Sequence, residues 1–341
     1  MIGNLLSQRA KNIQQSSIRA ITKRVESIGG VNFSQGLCPL PLRPEVAEAA
    51  RRAIDDGFNS YTSCYGLEDL RASLVARYDS YNSLSIDTSN ILVTAGATGA
   101  FESICKSFLE PGDEVVMFEP FYQYHERQVL ERGASPRYVR MYAPAWEFSQ
   151  KELKNAFSPK TKFIVFSNPN NPTGKVFTFA ELEFVGNICR DRGVFAVVDE
   201  VYEYILMDGA RHVSLASIPG MFEHSITISS ASKTFFVTGW RVGWLVGPRE
   251  VIPAISIKSD DTYICAPTPF QYAVNYVLTI GNELFQSIGS QFQGKRDQLA
   301  AALKGAGFTP YIPTGAYYIL ADYSGLGFRD DNEAVHRRLL Q

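Results

Sequence analysis

Between about Asn90 and Pro248, short apolar runs alternate with helix-patterned segments, and this alternation constrains the fold more than any other feature of the chain. The runs "NILVTAG", "DEVVMFEP", "KFIVFSNP", "VFAVVDE", "SITISSAS" and "RVGWLVGP" have the length and β-branched content of buried strands. Between them lie helix candidates such as "GAFESICKSFL", "FYQYHERQVLERG" and "FAELEFVGNICRDRG", the last two stopped by Gly133 and Gly193. Strand and helix in alternation is the pattern of βαβ units, so the expected fold class is α/β with a mostly parallel central sheet. About eleven residues separate the last two runs, fewer than a parallel crossover needs, so the final strand is expected to be antiparallel.

The flanking regions predict a second, smaller layer. The Gly/Pro-rich "SQGLCPLPLRP" and the stretch after about Gln291 read as transitions, and "FTPYIPTGAYYILADYSG" as strands of that layer. The expected division is an N-terminal arm with part of the small domain at 1–45, a large domain at 46–290, and a small α+β domain at 291–341. Ile18, Ile21, Val25 and Ile28 recur at helical spacing, which predicts an amphipathic helix docked on the body. The basic, acid-free stretch from Arg9 to Arg24 has a transit peptide as its competing reading.

Composition narrows the function classes. A formal net charge of -2 on 341 residues gives no field to gather nucleic acid or an anionic membrane, and neither is expected as a partner. There is no run of transmembrane length and no signal-peptide apolar region. Cys38, Cys64, Cys105, Cys189 and Cys265 form no CxxC pair, and the histidines stand at no metal-ligand spacing. The expectation is reduced thiols, no metal and a cytoplasmic protein.

In an open α/β sheet, ligands bind beyond the carboxyl ends of the strands, so the residues that follow each run are informative. "AGATGAF" places Ala97 and Thr98 at a helix start, where backbone N–H groups and the helix dipole favour a phosphate. Ser230 and Arg241 add hydroxyl and guanidinium donors. Asp199, at a buried strand end, suits a ring nitrogen that must stay protonated. Tyr202 and Asn171 suit a phenolic oxygen, and Tyr122 or Phe121 an aromatic ring to stack on. Lys233, in "SSASKTFFVTGWRVGW", supplies an amine that can condense with an aldehyde. A phosphate, a pyridinium, a phenolate and an aldehyde together describe pyridoxal phosphate. Taken singly, each feature has a bland reading as solvated lysine, helix cap or core aromatic; the order and spacing carry the inference. A dinucleotide site is the nearest rival, but Glu102 stands where its third glycine belongs; serine-hydrolase and metal-hydrolase readings fail for want of GxSxG and HExxH.

With these motifs in place, the chain resembles the class I aminotransferases of pyridoxal-phosphate fold type I, in the branch of kynurenine aminotransferase and glutamine transaminase K. The resemblance runs from about Ser17 to Tyr323, through "NSYTSCYGLEDLR", "EPFYQY", "NPNNPTGKVFT", "VVDEVYEYI", "SSASKTFFVTGWRVGW" and "PTGAYYILADYS". It implies a Schiff base on Lys233, a ring-nitrogen salt bridge from Asp199, and Asn171 and Tyr202 on the phenolic oxygen. It implies Tyr122 on the ring and Ala97, Thr98, Ser230 and Arg241 on the phosphate. Tyr61 would reach the neighbouring subunit's cofactor, implying a homodimer, and Gly36 would line the substrate side with Asn171. The implied reaction moves an amino group from an apolar, aromatic or glutamine-like L-amino acid to a 2-oxo acid. A C–S β-lyase of the same fold, or a cofactor-binding protein with impaired turnover, are the alternatives. The family's carboxylate-clamping arginine follows the helix "DNEAVHRRLL", where this sequence stops, so the small domain is expected to be incomplete; Arg337 and Arg338 read as solvated helix residues.

Overall fold

The computed structural model describes residues 17–36, 40–280, 285 and 287–327. Cys38, Arg337 and Arg338 lie outside the described residues.

Eight strands form one sheet in the order β1-β8-β7-β6-β5-β2-β3-β4. They are β1 (Ile91–Thr94), β2 (Glu114–Glu119), β3 (Ser135–Tyr142), β4 (Glu147–Phe148), β5 (Thr161–Ser167), β6 (Phe195–Asp199), β7 (Ser225–Ser230) and β8 (Gly243–Val246). From β3 through β2, β5, β6 and β7 every pairing is parallel. As expected from its short connection, β8 is antiparallel to both β7 and β1. The six strands anticipated from apolar runs are all present; β3 and the short β4 were not anticipated.

Strands β1, β2, β5, β6, β7 and β8 are buried on both faces, as strands are when helices cover each side, whereas the edge strands β3 and β4 are largely exposed. Alternate residues separate cleanly between those faces. Val115, Met117, Phe163, Val165, Ile226 and Ile228 share one core. Their neighbours Val116, Phe118, Ile164, Phe166 and Val198 belong to another on the opposite side. Helices α1 (Ser17–Ser27), α2 (Pro44–Asp55), α3 (Glu68–Asn82), α4 (Gly96–Phe108), α5 (Gln123–Glu131), α6 (Gln150–Ala156) and α7 (Phe179–Arg192) precede β7. The last has a local reason for each end: Thr178 and Glu181 form a reciprocal capping box, and Gly193 closes it in the left-handed region.

After β7 come α8 (Ala231–Thr234), α9 (Ile252–Tyr263), α10 (Thr268–Thr279) and α11 (Ile288–Gly305). The domain boundary expected near residue 291 falls inside α11. Beyond it, β9 (Thr309–Tyr311) and β10 (Leu320–Asp322) pair antiparallel as a separate two-stranded sheet. Arg296 on α11 joins this layer to the large sheet's side, donating to the Pro313 carbonyl at 2.9 Å and to both carboxylate oxygens of Asp208. The amphipathic α1 docks through Val25, which is buried, whereas Ile28 lies past its end and is 54% exposed. No described helix is long and apolar enough to cross a membrane.

Candidate active site

The carboxyl ends of β1, β5, β6 and β7 open into one cleft of about 510 Å3. Gly36, Ala97, Thr98, Tyr122, Asn171, Asp199, Tyr202, Ser230, Lys233 and Arg241 all line it. Of the site residues anticipated from sequence, Tyr61 and Phe121 stand apart; Tyr61 is 78% exposed and outside the cleft.

One end of the cleft is built for an anion. Helix α4 begins there on Gly96, whose φ of 75° favours glycine, and its first turn carries no acidic residue. Arg241 comes back from beyond α8 and lies against that turn, with Nη2 3.4 Å from the Ala95 carbonyl and Nη1 donating to the Thr238 carbonyl at 2.9 Å. A Cβ on Gly96 would stand 2.7 Å from the Arg241 guanidinium carbon, so glycine is what lets the two approach. Ser230 caps α8 by accepting from the Ser232 amide at 3.3 Å.

The other end is acidic and phenolic. Asp199 ends β6 and is 6% exposed; Oδ1 accepts from the Val201 amide at 3.3 Å, and Oδ2 lies 3.3 Å from Nε2 of the buried His125. Asn171 Nδ2 reaches the Tyr202 hydroxyl at 3.5 Å. Burial pushes the Tyr202 and Tyr122 phenols well above their ordinary values, so both are neutral hydrogen-bond donors. Lys233 lines the same cleft, and its Nζ donates to the Tyr317 hydroxyl at 2.6 Å.

Several lining residues escaped the sequence reading. His125 lies three positions after Tyr122, on the same face of α5, and helical spacing was the signal that could have found it. Tyr318, which lines the cleft, and Tyr317, which does not but accepts from Lys233, sit between β9 and β10 in "PTGAYYILADYS". Arg19 on α1 also lines the cleft and donates to Tyr124 at 3.4 Å. Conversely, Phe121, the alternative to Tyr122 for stacking on a ring, does not line the cleft but packs against the core. Among the described residues one group has metal-ligand proximity, Glu200, Glu203 and His212. Its carboxylates are taken by Ser214, Ser229 and Arg77.

A family model described as aminotransferase class I and II matches residues 28–341. The chain belongs to the class I and II aminotransferases. It is 34% identical to kynurenine–oxoglutarate transaminase 3 of Rattus norvegicus, over 94% of this chain and 75% of the rat protein. It is also 34% identical to the kynurenine–oxoglutarate transaminase of Dictyostelium discoideum, over 88% of this chain and 74% of that one. Among solved structures, N-succinyldiaminopimelate aminotransferase of Mycobacterium tuberculosis superposes with a TM-score of 0.93 at 32% identity, covering 96% of this chain and 86% of that one. A single mutant of Thermus thermophilus aspartate aminotransferase gives 0.91 at 30% identity, covering 98% and 89%.

These relationships make the protein a pyridoxal-phosphate-dependent enzyme that transfers amino groups between amino acids and 2-oxo acids. The cleft suits that cofactor on its own chemistry. The Gly96–Arg241 approach forms a cradle that a Cβ would fill, and a buried carboxylate, Asp199, and an amine, Lys233, line the same cleft.

Proposed function

We propose that this aminotransferase works from the Lys233 amine, with Asp199 and the α4–Arg241 cradle holding the cofactor's two ends. The observation that carries the reading is the gathering of Lys233, Asp199, Asn171, Tyr202 and Arg241 in one cleft. Ala97, Thr98, Ser230 and Arg241 would hold the phosphate, and Tyr122 would cover the ring. Asn171 and Tyr202 would bond the phenolic oxygen, and Asp199 would keep the ring nitrogen protonated. Lys233 would bond the aldehyde carbon at rest. When bound, pyridoxal phosphate supplies an electron sink for the pair left by a departing proton.

The chain's own contribution to catalysis is then proton handling and orientation. Released by an incoming amino acid, Lys233 Nζ takes the α-proton and returns it elsewhere as general base and acid. Its bond to Tyr317 aims the amine while that happens. Gly36 and Asn171 orient the substrate so that the bond to the α-proton is the one that breaks.

The cleft's organic lining includes Ile18, Tyr122, Tyr124 and Tyr318, which supports an apolar, aromatic or glutamine-like amino acid as donor. The exposed Tyr61 supports a homodimer in which this side chain enters the neighbouring site. A cytoplasmic location, and a small domain beginning near residue 291 and continuing to 341, complete the proposal.

The test is a half-reaction screen of the holoenzyme against single amino acids, following conversion of the lysine-linked cofactor absorbance to that of pyridoxamine phosphate. Conversion by apolar or aromatic amino acids supports the reading. A bound cofactor that no amino acid converts would overturn it. Release of ammonia without an amino acceptor would move the enzyme to the elimination class.

A further inference from the structure

The Tyr202 hydroxyl, assigned above to the cofactor's phenolic oxygen, has a second phenol beside it. Tyr318 OH lies 2.8 Å from Tyr202 OH, within the cleft lining, and the two rings meet edge to face. A phenol has one proton, so the direction of this bond decides what Tyr202 has left to give.

The contact itself fits either direction, and the cofactor decides it: a Tyr202 proton given to the phenolic oxygen, as proposed above, leaves the Tyr202 oxygen only to accept from Tyr318. Asn171 Nδ2 already points a donor at the Tyr202 oxygen. The nearby Gly36 carbonyl is occupied by the Tyr317 hydroxyl at 3.1 Å, which removes one competing acceptor for the Tyr318 proton. Gly36 also sets the position: a Cβ there would overlap the Tyr318 hydroxyl and the ring carbons that carry it. The Tyr318 hydroxyl is therefore wedged between a glycine that only just admits it and the oxygen it faces.

Resting on the function proposed above, we infer that Tyr318 is a positioning residue that donates to Tyr202 and so directs the Tyr202 proton onto the cofactor's phenolic oxygen. A donor bonded to one lone pair of a hydroxyl polarises its O–H and makes it the stronger donor in turn. A stronger hydrogen bond to the phenolate stabilises its negative charge and lowers the pH at which the cofactor–lysine linkage loses its proton. Tyr318 thereby keeps more of the linkage deprotonated at neutral pH than Tyr202 and Asn171 alone would.

The charged and titratable groups around this pair are Asp199 at the end of β6, Tyr317 next in the chain and Tyr122 ahead of α5. Lys233 on α8 lies 5.8 Å from the Tyr202 ring centre, and Arg241 faces Tyr122.

The experiment is a spectrophotometric pH titration of the holoenzyme's lysine-linked cofactor band in the parent, Tyr318→Phe, Tyr202→Phe and the double variant. Phenylalanine keeps the ring, and thermal melting checks the fold. The expected midpoint rises by about half a pH unit or more in Tyr318→Phe and further in Tyr202→Phe. The double variant should match Tyr202→Phe, because Tyr318 acts only through it. Gly36→Ala, which displaces the same hydroxyl by a different route, should move the midpoint in the same direction. An unmoved or lowered midpoint in Tyr318→Phe, or additive shifts in the double variant, would overturn the inference alone. A protein that never acquires the lysine-linked band would overturn the cofactor reading along with it.

Discussion

Replacing Gly96 by alanine separates two consequences of one methyl group. The backbone there has a φ of 75°, and a Cβ in that region costs roughly 1–2 kcal/mol. Unfolding entropy for 341 residues is about 0.7 kcal/mol/K, so that strain lowers the melting temperature of the cofactor-free protein by roughly 1.5–3 °C. The second consequence is local: the new methyl would stand 2.7 Å from the Arg241 guanidinium carbon and 3.0 Å from Nη1, and Arg241 must move. Losing one charge-assisted hydrogen bond to a phosphate is worth about 1.5–3 kcal/mol. That corresponds to roughly a 10- to 100-fold rise in the cofactor's Kd. The assay is titration of the stripped protein with pyridoxal phosphate, alongside melting curves with and without it. Arg241→Gln should weaken binding by a similar factor, and combining it with Gly96→Ala should add little, since both remove the same contact. A Gly96→Ala protein that melts lower yet binds the cofactor as tightly as the parent would refute the proposed cradle.

Further outcomes follow from other parts of the molecule. Asp199→Asn should keep the cofactor bound but lower kcat by about a hundredfold or more in steady-state assays, because the ring-nitrogen proton is no longer secured. Arg77→Met leaves Glu203, whose side chain is 1% exposed, without its counter-charge; a loss of about 3–5 kcal/mol is expected by chemical denaturation, largely restored by adding Glu203→Met. Arg296 holds the Asp208 carboxyl below its ordinary 3.8, so this contribution is present above that value and lost as pH falls through the lowered one. Asp208→Asn should accordingly be less stable at neutral pH and show a shallower acid limb in a melting-temperature profile. Burial pushes the Cys189 thiol up to about 12 and Cys105 higher still, so a thiol reagent read by mass spectrometry should leave both unmodified in the native protein while reaching the partly exposed Cys64 and Cys265.

The parts of the site that were legible in the sequence share a cause. Asp199, Ser230 and Lys233 end or directly follow strands whose apolar runs are continuous, so locating the strand locates the residue. The antiparallel β8 was legible because chain length alone forbids the alternative. Strand β3 was not: "SPRYVRMY" has only Val139 and Met141 fully buried, and its exposed arginines and tyrosines interrupt any apolar run. Tyr318 lies on the connection between the two strands of the smaller sheet, and its distance from Tyr202 depends on how that sheet packs against the larger one. No local pattern encodes that packing. His125 required knowing that α5 starts at Gln123, after Tyr122, which turns this face toward Asp199.

The antiparallel pairing of β7 with β8 has a consequence for how the site tolerates change. Ser230 and Gly243 are register partners, so the segment 231–242 is a loop pinned at its two ends by the same rung of the sheet. Lys233 and Arg241 both lie inside it. Their separation is thus set by a closed ring of backbone rather than by the packing of distant elements, and it is insulated from movements of the smaller sheet or of α1. The same closure makes the segment intolerant of length change: one added residue has no free end through which to dissipate and must alter the spacing between amine and guanidinium. Substrate preference can be altered around this ring by replacing residues elsewhere in the cleft, while the ring itself admits substitution but not insertion.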